Sequence, residues 1–161
     1  MRFLPALAIL PAAAVALGGC TLTQPPTVRV VDTRVVEATD AGMSVTVDLE
    51  LKNPNDFPLP LKRVNYRVSV PGSTLKAYAA DAEPARTVPA HGVQTLTLTA
   101  GLAGVPGRWQ ADGAAGKAWR VRGDLTYAPE RGLRTFLTET GVPLPMASFG
   151  GEGRFAQGPQ P

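Results

Sequence analysis

Apolar and polar residues alternate with a period of two over much of this chain. In VTVDLELK (45–52), Val45, Val47, Leu49 and Leu51 share one parity, and Thr46, Asp48, Glu50 and Lys52 the other. That is the pattern of an antiparallel strand buried on one face. VNYRVSV (64–70) repeats it, with Val64, Tyr66, Val68 and Val70 inward. WRVRGDLTY (119–127) puts Trp119, Val121, Leu125 and Tyr127 on one face, and Arg120, Arg122 and Asp124 on the other. VQTLTLTA (93–100) turns Leu96 and Leu98 inward, while STLKAYA (73–79) and LRTFLTE (133–139) are weaker strand candidates. TVRVVDTRVVEA (27–38) changes parity partway, with Val28 and Val30 on one phase and Val31 and Val35 on the other. A shift of one residue would turn the strand inside out, so a bulge is predicted near Val30–Val31. About seven short strands with Gly/Pro turns between them predict an all-β fold, an antiparallel β-sandwich over residues 27–140. No long stretch has a helical period, and the glycines of 101–118 argue against a helix there.

Between two good strands lies LKNPNDFPLPLKR (51–63), with three prolines. A residue before proline is pushed towards extended backbone, and proline gives a ladder no N–H. Asn53-Pro54 should therefore end the first strand, and Asn55 and Asp56 suit Asx-turns. Phe57, Leu59 and Leu61 then alternate with Pro58 and Pro60, which predicts three apolar plugs entering the sandwich from an edge strand.

The first nineteen residues stand apart. One charge, Arg2, precedes an apolar run too short for a comfortable membrane span, which reads as a signal peptide. Its ending, Leu17-Gly18-Gly19-Cys20, resembles the lipobox of bacterial lipoproteins. That resemblance implies cleavage between Gly19 and Cys20 and lipidation of Cys20. Two acyl chains make a lasting anchor where one is marginal. Thr21, in place of the aspartate that marks inner-membrane retention, favours the periplasmic face of the outer membrane. Residues 20–26 read as the lipidated cysteine and a spacer, extended at Pro25 and Pro26. Residues 141–161, rich in Gly, Pro and Gln, read as a tail without regular structure, although Phe149 and Phe155 could dock on the domain.

Composition narrows the chemistry. Cys20 is the only cysteine, which excludes an internal disulfide and a cysteine-rich metal site. One of the 16 basic residues lies in the signal peptide, so the remaining excess over 13 acidic ones is too small to argue for nucleic acid. His91 is the only histidine and sits in a turn-like PAHG. No serine has a nucleophile-elbow context, and no glycine run has phosphate-cradling spacing. The sequence therefore predicts no catalytic residue, metal or cofactor. Asn53 and Asn55 are read as satisfying backbone at the corner in preference to holding a ligand. Trp119 falls in register with its strand's core, and Trp109 is read as buried rather than sugar-stacking. The remaining candidate contact is a stripe of Arg63 and Arg67 that Arg120 and Arg122 would join if their strands are neighbours. A solvated sheet face is its default reading, and contact with anionic lipid head groups or lipopolysaccharide phosphates the alternative.

The segment LELKNPNDFPLPLKRVNYRVSVPGS resembles the core motif of the late embryogenesis abundant type 2 proteins, also called the water stress and hypersensitive response domain. The resemblance rests on Leu49 and Leu51, Asn53-Pro54-Asn55, Phe57, Leu59 and Leu61, Tyr66, Val68 and Gly72. Val88, Pro89, Gly92, Leu96 and Leu98 match the family's later turn into a strand. It implies an immunoglobulin or fibronectin type III-like sandwich and a non-enzymatic role in desiccation or osmotic stress. The expected activity is weak binding to envelope proteins or lipids. The alternative is an adaptor lipoprotein with one specific envelope partner.

Overall fold

A computed structural model describes residues 23–104 and 114–156. Its strands in chain order are β1 (Thr27–Thr39), β2 (Gly42–Lys52), β3 (Leu59–Ser69), β4 (Tyr78–Ala82), β5 (Thr87–Val88), β6 (Val93–Ala103), β7 (Ala118–Tyr127) and β8 (Met146–Arg154). A single described helix, α1 (Arg131–Thr140), connects β7 to β8. One sheet has the order β1-β2-β6, and the other β4-β3-β7-β8 with β5 paired to β3. Every pairing is antiparallel.

The alternating residues face each other across the two sheets. Val45, Val47, Leu49 and Leu51 of β2 are fully buried, as are Leu59, Val64 and Val68 of β3. Leu96, Leu98, Val121 and Leu125 complete the layer. The Tyr66 hydroxyl crosses the layer and donates to the Thr99 carbonyl of β6 at 2.6 Å. The predicted bulge is present: the β1–β2 register slips between Val30 and Asp32, and again between Val35 and Glu37. Each slip leaves one valine outside the ladder. Those valines, Val31 and Val36, are 48% and 65% exposed, while Thr33 beyond the first bulge is buried.

Five expectations need correction. β3 is not an edge strand, because β4 and β5 pair on one side of it and β7 on the other. Its prolines are tolerated because Pro58 precedes the strand and Pro60 is its second residue. The Pro60 carbonyl accepts from Ala128, just past the end of β7, so its missing donor points where the ladder has stopped. Phe57 is half-buried against the core, not a full plug like Leu59 and Leu61. The weak strand candidate at 73–79 is mostly a turn: Ser73 Oγ donates to the Val70 carbonyl at 2.7 Å, and β4 begins only at Tyr78.

Residues 133–139 form helix and not strand. Leu133, Phe136 and Leu137 fit the i, i+3, i+4 spacing, and Gly141 at φ 69° closes the helix, with the Val142 N–H returning to the Leu137 carbonyl.

The supposed tail contains β8, which pairs with β7 along its whole length and carries the buried Phe149. Phe155, just beyond β8, is buried too. Its glycines are where neighbouring side chains lie. Trp119 is the register partner of Gly153, and its ring occupies the space a Cβ there would take. Phe149 does the same over Gly123 of β7. Such aromatic cover restores the packing that a strand glycine lacks.

Candidate functional site

Asn53 is the centre of the corner. It is 0% exposed, yet every polar group of its side chain is satisfied. Its Nδ2 donates to the carbonyls of Phe57 at 2.8 Å and Pro89 at 3.0 Å, and its Oδ1 accepts the backbone N–H and Nδ2 of Asn55 at 3.0 and 2.8 Å. The Asn53 N–H donates to Gly92 and the His91 N–H to Asn55, which ties the 89–92 turn to the corner. In that turn the Gly92 N–H bonds to the Pro89 carbonyl, and His91 lies at φ 51°. His91 thus serves as a turn residue, exposed and in left-handed backbone.

Asn55 reaches in the opposite direction, to the segment before β1. Its Oδ1 accepts from the Gln24 N–H at 2.8 Å, and its Nδ2 donates to the Gln24 carbonyl at 2.9 Å. An amide side chain thereby imitates one rung of a β-ladder. Pro26 is buried beside it, so from Gln24 onward the presumed spacer belongs to the domain. Cys20, Gly19 and Thr21 lie outside the described residues, as does Trp109.

The arginine stripe exists as a surface, because β3 and β7 are neighbours. Arg67 stands opposite Arg122, Ser69 opposite Arg120 and Arg63 opposite Thr126. Arg63 pairs with Glu83 at 3.6 Å and Arg120 with Glu152 at 3.4 Å. Arg67 and Arg122 have no ion pair among the described residues. Like charges directly opposite on a sheet are unfavourable, and an anion between them would relieve that. They border a shallow groove of about 470 Å³, whose other end holds Asp81 and Asp124 flanking Asn65. The groove is therefore dipolar, and its acidic end would repel a bulky polyanion.

Among the described residues no group of acidic, histidine or cysteine side chains could hold a metal, and no helix is long and apolar enough to cross a membrane. Among the described residues the perturbed titratable groups are tyrosines. Burial, followed by the neighbouring Tyr78, pushes the Tyr66 hydroxyl up to about 12, and burial raises Tyr127 as well.

Sequence reading found the corner residues and the stripe. It missed the Gln24–Asn55 clamp and the helix α1. The clamp uses backbone atoms of Gln24, which leave no mark on residue type.

The family model described as late embryogenesis abundant protein matches residues 48–143. A comparison with curated proteins finds no match. Among solved structures, the fold is similar to a solution structure of an Arabidopsis thaliana protein, with TM-score 0.54, 13% identity, and 91% of this chain and 93% of that one covered. It is similar also to an X-ray structure of a structural genomics target, with TM-score 0.53, 13% identity, and 84% and 89% covered. At such identity the likeness is one of fold.

Proposed function

The chain belongs to the late embryogenesis abundant protein family, type 2, and on that premise we propose that it is a lipid-anchored module that protects the cell envelope during water stress. In this reading Cys20 carries the lipid and the sandwich acts on the periplasmic face of the outer membrane, without catalysis, through weak contacts with envelope proteins or lipids. The observation that carries it is the clamp of Gln24 onto Asn55. Gln24 lies four residues after Cys20, so a lipid there would hold a folded domain by one defined corner. A tether also keeps a weak binder concentrated where it acts.

Cys20→Ala should lose the acyl mass, leave the membrane fraction and fail to restore survival of a deletion strain after drying or osmotic shock. Full rescue by a stably expressed untethered form would reject the membrane-local mechanism. The unpaired Arg67 and Arg122 favour a second reading, an adaptor that binds one anionic envelope partner. Crosslinking in intact cells separates the two readings. One partner in fixed ratio supports the adaptor, and many weak partners support the protectant.

A further inference from the structure

Helix α1 has an apolar face that the described residues leave largely uncovered. None of its residues is buried, and Leu133 and Phe136 are 40% and 58% exposed. With Leu137 they make a stripe at i, i+3, i+4 spacing. Val142 and Met146, in the same connection between β7 and β8 and at its end, are exposed as well. Water is a poor solvent for such a face.

The helix's place in the topology indicates what covers it. β7 finishes where β3 begins, since Leu61 pairs with Tyr127. β1 starts and β2 ends at this same end, with Thr27 opposite Lys52. The corner, the Gln24 clamp and α1 are thus gathered at one end of the sandwich. Four extended residues reach at most about 14 Å, so a lipid on Cys20 would hold that end close to a membrane. A helix is roughly 10–12 Å across with its side chains, which suffices to fill the gap.

We infer that α1 is an interfacial helix, which lays Leu133, Phe136 and Leu137 into the lipid head-group region beside the Cys20 anchor. The inference rests on the lipid-anchor reading above. Two further features agree with it. Arg134 lies on the flank of the stripe, where a guanidinium group can meet anionic head groups, while Arg131 lies on the far side. The helix's three threonines return their hydroxyls to its own backbone: Thr135 to Arg131 at 3.0 Å, Thr138 to Arg134 at 2.9 Å and Thr140 to Phe136 at 2.8 Å. Of the three, Thr140 shares the face of Leu133 and Leu137, and its satisfied donor suits a medium poor in water. By contrast Arg67 and Arg122 lie mid-strand, with Arg122 five residues before the end of β7, roughly 16 Å from this end. The lipid contact therefore moves from the arginine stripe to α1.

The test uses the mature chain, lipidated at Cys20, in vesicles of phosphatidylethanolamine and phosphatidylglycerol. A fluorophore is attached at Phe136→Cys or, as control, at Val36→Cys near the far end of β1. Lipids brominated high in the acyl chain should quench the label at 136 and not the one at 36. In the unlipidated Cys20→Ser chain, Leu133→Ser with Phe136→Ser should weaken vesicle binding at least roughly tenfold, as loss of two large apolar contacts implies. The thermal midpoint should not change, because neither residue is buried. A protein that floats with vesicles while its label at 136 stays unquenched overturns the helix inference and leaves the anchor standing. A mature protein without acyl mass that does not float removes the anchor reading and this inference with it. Copy-to-copy crosslinks through position 136 without lipid quenching would assign the face to a second copy and also overturn it.

Discussion

At the scale of single residues, a buried amide with all its bonds made is expensive to lose. Asn53→Ala would strand the Phe57 carbonyl and the Asn55 backbone N–H inside the corner, and would take one of two bonds from both the Pro89 carbonyl and the Asn55 Nδ2. An unfolding titration should show a loss of about 3 kcal/mol, since each stranded buried group costs about 1–3 kcal/mol. Asn55→Ala should cost less in stability and free the Gln24 segment, seen as faster amide exchange at Gln24. Phe57→Ala should cost about 1.5–3 kcal/mol, below the range for a fully buried aromatic, because Phe57 is half-buried. Tyr66 links stability to pH. Its folded value of about 12 lies above the ordinary 10.0 of an unfolded tyrosine, so the native state holds this proton more tightly. The contribution is complete below pH 10 and is lost as pH rises towards 12. Tyr127 acts with the same sign. The midpoint of urea unfolding should therefore fall across that window, and Tyr66→Phe should make the fall shallower. An equal slope in wild type and variant would show that Tyr66 titrates as if unburied.

At the scale of elements, β8 decides whether the second sheet is complete. Residue type misrepresents it, because MASFGGEGR (146–154) has the composition of a linker. Its Gly153 sits under Trp119 and its Gly151 against Val30, while its Phe149 covers Gly123 of β7, contacts that come from segments more than twenty residues away. A chain ended at Gly141 would expose the edge of β7 and remove the buried Ala147, Phe149 and Phe155. A small domain has only about 5–15 kcal/mol of stability in all, so the truncated chain should show no cooperative thermal melt. Retention of a native-like melt would mean that β8 is dispensable, as a tail would be. The helix is likewise hard to read from sequence, since Gly132 and three threonines are weak helix formers.

At the scale of the whole molecule, the two sheets enclose a continuous apolar layer. Desiccation proteins that fold only as water leaves lack the apolar groups for such a layer. This chain is 44% hydrophobic. When fully hydrated it should give a β-type circular dichroism spectrum and a single cooperative melt, with little gain of helix on drying. A large rise in helical signal on drying would contradict a preformed protective surface.

Alternation with period two was enough to settle the all-β class, the inward faces of β2, β3, β6 and β7, and the first bulge in β1. The physical reason is local: a strand's side chains point alternately to two faces, so burial of one face is written in the residue types themselves. The corner was legible for the same reason, because Asn and Pro restrict their own backbone. Neighbour relations are not local. That β3 is interior, that Arg67 meets Arg122, that Asn55 holds Gln24 and that Gly153 and Gly123 receive aromatic rings all depend on which segments the fold brings together. Glycine and backbone amides carry no side-chain signal of their partners. Only the packed sandwich decides them, by leaving Gly123 and Gly153 beneath rings and each corner amide within reach of a bond.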